Sequence, residues 1–188
     1  MFYNKRIFEE AGLDPEQPPV TLDDWYDMAK TINSEDVIGT AIYTWPPGMF
    51  WIWYGLIKQF GGELFSEDGT SVDLTTPAHV EPTQWWHDLR WDINPEALNG
   101  DLVRTGKVGI WLDGPWTLSL WSDPERSQIV DDYAIAMLPQ HDLANPAVWA
   151  NSHCFAMPRP DAVDNNKMAA SVTFMKYLSE NSFEWSAR

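Results

Sequence analysis

The sequence predicts an α/β fold, because short apolar strands alternate along the chain with helical segments. Strands are expected at residues 37–44, 107–112 and 133–138, where apolar and β-branched residues cluster. A hydrophobic fraction of 44% and a charged fraction of 21% are typical of a globular chain that can bury a core.

Recognisable caps begin the first helices. A short helix is expected over residues 4–12, with Asn4 as its N-cap and Gly12 as its stop. Thr21 and Asp24 form a capping box at the start of a second helix. Its buried face is predicted from apolar residues at helical spacing: Leu22, Trp25, Ala29 and Ile32.

The remaining elements follow from apolar runs and helix breakers. Residues 49–60 are apolar on nearly every side, which predicts a buried helix. Another helix is expected from Thr76 to about Trp91. Pro115 opens a helix directly after the strand at 107–112. The C-terminal part is expected to contain an extended segment over 148–157 and a helix from Asn165 or Asn166 to about Leu178.

Charge and motif content exclude several classes of function. The net charge of -16, from 28 acidic and 12 basic residues, disfavours nucleic acid and anionic membranes and favours neutral or cationic ligands. Cys154 and the four histidines show no metal-ligand spacing, so we expect no metal and no cofactor. Because Met1 leads directly into Phe2, we expect no signal peptide in this sequence. No nucleophile or phosphate-binding motif points to a catalytic residue.

The first candidate binding region follows the strand at 107–112. Asp113 can accept hydrogen bonds, Gly114 turns the chain, and Trp116 offers a flat apolar face beside a helix start. Polar groups next to an aromatic face suit a ligand with polar edges and apolar faces, such as a sugar. The alternative is that Asp113 caps the helix and Trp116 fills the core.

Two further regions combine aromatic and polar residues. At the start of the apolar helix, at least one of Trp45, Phe50 and Trp51 is expected to contact ligand, although the latter two also suit a helix core. The third region contains these residues: Trp149, Asn151, Ser152 and His153. Polar residues inside an apolar strand are costly unless partnered, which favours a binding role over an ordinary buried strand with a satisfied histidine.

Four segments resemble the family 1 extracellular solute-binding proteins, the sugar receptors of ABC importers. These segments are Tyr3–Leu13, Gly61–Phe65, Gly106–Trp116 and Ala169–Leu178. The resemblance implies a type II periplasmic-binding-protein-like lobe, with a mixed sheet flanked by helices and most of the other lobe missing. Residues 1–147 would form the second lobe, and residues 148–188 the hinge-crossing strand and helix that normally belong to the first lobe.

The resemblance also implies a function. The chain would bind oligosaccharide without catalysis, as part of an extracytoplasmic receptor that serves an ABC permease. The resemblance also implies that Trp116 lies against the ligand. The orphaned segment 148–188 is expected to dock on its own lobe or to form a homodimer. Two alternatives stay open: a glycosidase-like enzyme, and a truncated remnant that binds no ligand.

Overall fold

The computed structural model describes five ranges of the chain: residues 1–42, 44–93, 99–150, 154–158 and 164–182. The chain divides into two compact units, Met1–Trp149 and Ala150–Arg188. The first unit is an α/β fold with helices flanking a mixed sheet, which confirms the predicted class.

The sheet has four strands in the order β2-β3-β1-β4. They are β1 (Phe2–Asn4), β2 (Ile38–Ala41), β3 (Val108–Trp111) and β4 (Tyr133–Ile135). Strand β1 is antiparallel to both β3 and β4, whereas β2 is parallel to β3. Three of these strands match predicted segments, and β1 is an addition.

Seven α-helices accompany the sheet in the described residues. They are α1 (Lys5–Glu10), α2 (Leu22–Ile32), α3 (Pro46–Gln59), α4 (Pro77–Ile93), α5 (Gly100–Arg104), α6 (Leu118–Trp121) and α7 (Asn165–Glu180). Only α7 belongs to the second unit. None of these helices, within the described ranges, is long and apolar enough to cross a membrane.

Both predicted N-terminal caps are present. The Asn4 side chain accepts a hydrogen bond from the backbone N–H of Ile7 at 3.1 Å. The backbone N–H of Asp24 donates to Thr21 Oγ1 at 3.1 Å, and the backbone N–H of Thr21 donates to Asp24 Oδ2 at 2.8 Å. These reciprocal bonds form the capping box and fix where α2 begins.

Several expectations from the sequence need correction. Helix α3 begins at Pro46 rather than at residue 49, because proline suits the first helical positions, and only Gly48 is buried in its first half. The segment after β3 is a 3₁₀ turn over Pro115–Thr117, followed by the single turn of α6. The described residues 148–150 and 154–158 contain no strand, and α7 takes Asp164 rather than an asparagine as its N-cap.

Two apolar clusters stabilise the first unit. In each of the central strands, β1 and β3, neighbouring residues belong to different clusters. Tyr3 and Ile110 belong to the larger cluster, whereas Phe2 and Trp111 belong to the smaller one. Successive side chains of a strand point to opposite faces, so the sheet lies between the two clusters. Trp25 fills the larger cluster, and its indole N–H donates to Thr40 Oγ1 at 3.0 Å.

Candidate functional site

Described residues from each of the three candidate regions contact one another in the first unit. Six aromatic side chains form a contiguous patch, called here the aromatic surface: Trp45, Phe50, Trp51, Tyr54, Trp116 and Trp149. They come from the start of α3, from the turn after β3 and from the end of the first unit. The sheet and the packing of α3 therefore bring together residues that are far apart in sequence.

Trp51 lies at the centre of the aromatic surface. Its ring centroid is 5.5 Å from that of Trp45 and 6.5 Å from that of Trp116, and both pairs meet edge to face. The ring of Trp149 is nearly parallel to that of Trp51, with 6.5 Å between centroids. Each of the three candidate regions therefore contributes one ring to the neighbourhood of Trp51.

Phe50 and Tyr54 extend the surface along α3. They are one helical turn apart, and their rings stack with centroids 5.9 Å apart. Both also contact Trp149, at centroid distances of 6.0 Å and 5.8 Å. Tyr54 was not singled out from the sequence, although its spacing of four residues from Phe50 places it on the same helix face.

Exposure distinguishes this surface from the core. Trp116 is 63% exposed, Trp45 55% and Phe50 41%, whereas the core residues Trp25 and Trp111 are 1% and 0% exposed. The structure therefore excludes the alternative that Trp116 fills the core. Contiguous exposed aromatic groups of this kind mark a binding surface more often than they occur without function.

Gly114 determines where the ring of Trp116 lies. A Cβ atom at Gly114 would overlap the six-membered part of that ring, so only glycine lets the indole fold back over the turn. The turn is closed by Thr117, whose backbone N–H and hydroxyl both donate to the carbonyl of Gly114, at 3.1 Å and 2.8 Å. This small residue and its turn hold an exposed aromatic ring beside Trp51.

Asp113 lies half-buried next to the aromatic surface. Its Oδ1 accepts a hydrogen bond from the backbone N–H of Gly114 at 2.8 Å. The N-cap of the following turn is Gly114 itself, and no side chain among the described residues caps it. The alternative role of Asp113 as a helix cap is therefore not observed.

Helix α3 contacts the backbone of Trp149 and of the segment before it. Gln59 Nε2 donates to the carbonyl of Ala147 at 3.0 Å, and Gln59 Oε1 accepts from the backbone N–H of His141 at 2.8 Å. Gly55 lets the backbone of Trp149 approach α3, because a Cβ there would lie 3.3 Å from the nitrogen of Trp149. Neither Gln59 nor Gly55 was identified from the sequence, since their role depends on contacts across the fold.

The remaining predicted residues of the third region are Asn151, Ser152 and His153. They lie outside the described residues. The indole N–H of Trp149 is buried and finds no acceptor in the part of the chain that the structure describes. A buried donor without an acceptor is costly, which is consistent with a polar partner at this position.

Two further observations concern metal ligands and carboxyl groups. The described residues contain no group of three His, Cys, Asp or Glu side chains that could hold a metal ion. The pKa values of three carboxyl groups are lowered by local hydrogen bonds: Asp24 by Thr21, Asp68 by Ser66 and Asp73 by Thr75. Because these carboxyl groups lie at caps and turns, their lowered pKa values reflect local backbone structure.

Comparisons with known proteins agree with the sequence resemblance. A family model described as bacterial extracellular solute-binding protein matches residues 1–159. An arabinooligosaccharide-binding protein from Halalkalibacterium halodurans is 32% identical over 231 aligned positions, which cover 98% of this chain and 51% of the relative. The chain spans about a third to a half of the length of the curated relatives that it matches.

Two solved structures show the same fold. The cyclic α-maltosyl-1,6-maltose binding protein from Arthrobacter globiformis is 28% identical, with a TM-score of 0.65 over 80% of this chain and 41% of that one. A solute-binding protein from Agrobacterium radiobacter K84, solved with ribitol, is 22% identical, with a TM-score of 0.71 over 94% of this chain and 45% of that one.

Proposed function

Since the chain belongs to the bacterial extracellular solute-binding protein family, we propose that it binds carbohydrate and does not transform it. The observation that carries this proposal is the contact of Trp51 with rings from three separate regions. Rings of this kind can stack on the C–H faces of sugar rings, and neighbouring polar groups can bind the hydroxyls.

Each predicted site residue has a proposed role. The rings that stack on sugar are those of Trp45, Phe50, Trp51, Trp116 and Trp149. Asp113 accepts hydrogen bonds from ligand hydroxyls, and Gly114 keeps the ring of Trp116 in place. The roles of Asn151, Ser152 and His153 as polar contacts to the ligand stay predictions from the sequence.

We propose an oligosaccharide as the ligand class. The relative from Halalkalibacterium halodurans is named for arabino-oligosaccharides, and the protein from Arthrobacter globiformis for a cyclic maltosyl-maltose. Both names support a ligand of more than one sugar ring. The number and breadth of the exposed rings agree with this, because a monosaccharide covers only a small part of such a surface.

The family also supports a setting for this activity. We propose that the intact protein acts outside the cytoplasmic membrane and delivers its ligand to an ABC permease. Residues 1–147 would be the second lobe, and residues 148–188 the strand and helix that cross the hinge. In such two-lobed receptors, ligand between the lobes stabilises a closed form, so a single lobe should bind more weakly.

Two alternative functions compete with this proposal, a glycosidase-like enzyme and a truncated remnant. A glycosidase needs two carboxyl groups about 5–10 Å apart, and a truncated remnant would bind no sugar.

We also propose a homodimer. The α7 side chains of Val172, Phe174 and Tyr177 are exposed, which supports a homodimer through the segment 148–188. Light scattering that shows a monomer with a mobile C-terminal segment would contradict the homodimer.

A titration with arabino- and malto-oligosaccharides tests the function. We expect tryptophan fluorescence to change on binding and no product to form, whereas product would indicate the enzyme. Trp116→Ala should weaken binding by about two- to tenfold, because an aromatic stacking contact is worth about 0.5–1.5 kcal/mol. Phe65→Ala is the matched control, since Phe65 is 61% exposed and lies outside the aromatic surface. If no oligosaccharide in the panel changes the tryptophan fluorescence, the proposal is refuted.

A further inference from the structure

Residues of helices α3 and α4 line a second aromatic feature, an open cavity of about 350 Å³. Phe50 and Trp53 line it from α3, and Trp86 and Trp91 line it from α4. The volume is at the lower end of the range of small-molecule sites. None of the candidate regions identified from the sequence includes the residues of α4.

Side-chain contacts orient two of the rings that line this cavity. The indole N–H of Trp53 donates to Thr83 Oγ1 at 2.8 Å, and the Thr83 hydroxyl donates to the carbonyl of His79 at 2.6 Å. Trp91 is 57% exposed, and the guanidinium carbon of Arg90 lies 5.5 Å from the centroid of its ring. Side chains that are already oriented lose little entropy when a ligand binds.

Polar side chains also line the cavity. His87 and Arg90 lie beside the rings, and the hydroxyl of Thr83 already bonds with Trp53 and His79. Trp86 is 7% exposed, and its indole N–H has no acceptor among the described residues. Aromatic walls with a few donors at the edge have the same character as the aromatic surface, and they suit a ring with apolar faces and hydroxyl edges.

Phe50 connects the two features. It lines the cavity, and its ring centroid is 6.2 Å from that of Trp53 and 6.0 Å from that of Trp149. We infer that the cavity is a further sugar-ring subsite, so that one oligosaccharide extends from Trp116 across Phe50 to Trp91. This inference rests on the proposed function and adds a ligand length to it, because only a ligand of several rings can reach both ends.

Calorimetric titration with malto- and arabino-oligosaccharides of increasing length, from disaccharide to hexasaccharide, tests the inference. We expect affinity to rise with length until the cavity is reached, and then to level off. Trp91→Ala should lower the affinity for the longer ligands by about two- to tenfold and leave that for the shortest unchanged, because only the longer ones stack on Trp91. Trp116→Ala should lower the affinity for ligands of every length.

Controls keep the two claims separate. Trp91→Tyr retains a stacking face and should restore most of the affinity for long ligands, whereas Phe65→Ala should change nothing. If Trp91→Ala binds every length as tightly as the parent while Trp116→Ala does not, the inference is wrong and the proposed function stands. If no oligosaccharide binds, both are overturned. Because Trp91 is exposed, its replacement should leave the circular dichroism spectrum unchanged.

Discussion

Replacing Gly114 by alanine moves the ring of Trp116 without removing it. The added Cβ overlaps that ring, so the indole must leave its place over the turn. The backbone of Gly114 has φ of -89° and ψ of 164°, an extended conformation that alanine adopts without strain. The substitution therefore acts on one exposed side chain and not on the path of the chain.

The expected magnitudes follow from these two facts. Replacing glycine by alanine at a compatible conformation stabilises a protein by about 0.4–1 kcal/mol through the unfolded state, and moving an exposed ring costs little. The free energy of unfolding should stay within about 1 kcal/mol of the parent. Losing a stacking contact of about 0.5–1.5 kcal/mol raises the dissociation constant about two- to tenfold.

Chemical denaturation and calorimetric titration on the same preparations measure both quantities. Gly100→Ala is the matched control, because a Cβ at Gly100 meets only an ordinary contact at 3.9 Å from Trp121. We expect Gly114→Ala to lose affinity at unchanged stability and Gly100→Ala to retain affinity. A Gly114→Ala variant with undiminished affinity would refute the role of the Trp116 ring in holding ligand.

Three further substitutions test the supports of the site and fold. Gln59→Leu leaves backbone groups unpaired, so the free energy of unfolding measured in urea should fall by about 2–3 kcal/mol. Oligosaccharide affinity should also fall, because Trp149 shifts. Full affinity would contradict the role of Gln59 in positioning Trp149. His79→Leu removes the hydrogen bonds that join the ring to the Thr76 hydroxyl and to the carbonyl of Glu63, and the same assay should show a loss of about 1–3 kcal/mol. Because hydrogen bonds lower the folded-state pKa of Asp24, its stabilisation is present above the unfolded pKa of about 3.9 and is lost as pH falls. At pH 7 the Asp24→Asn variant should therefore unfold at a lower temperature than the parent. Its melting temperature should also change less between neutral and acidic pH. A pH profile of stability that matches the parent would contradict this.

Local sequence signals predicted the elements that depend on local chemistry. The capping box of Thr21 and Asp24 fixes the start of α2 in the structure as in the sequence. Strand β1 was not predicted, because three residues are too few to show an alternating pattern and its stability comes from pairing with two neighbours. The start of α3 was placed too late because the prediction followed the apolar run from residue 49, whereas the helix begins at Pro46.

The sequence indicated individual site residues but not their arrangement. Trp51, Trp116 and Trp149 were each candidates, yet their contacts depend on how β3, α3 and the end of the unit pack. His79 was not singled out from the sequence as a functional residue, yet it is buried and hydrogen-bonded through both ring nitrogens. Such long-range partners leave no local pattern in the sequence.

The central claim is that the rings around Trp51 hold a carbohydrate, and indole N–H resonances report on it directly. The chain has 12 tryptophans, each of which gives one resolved probe in a ¹H–¹⁵N correlation spectrum when assigned by substitution. On titration with arabino- or malto-oligosaccharide, the signals of Trp51, Trp116 and Trp149 should shift, while those of the core residues Trp25 and Trp111 stay in place. Shifts confined to other tryptophans, or none at all, would contradict the account.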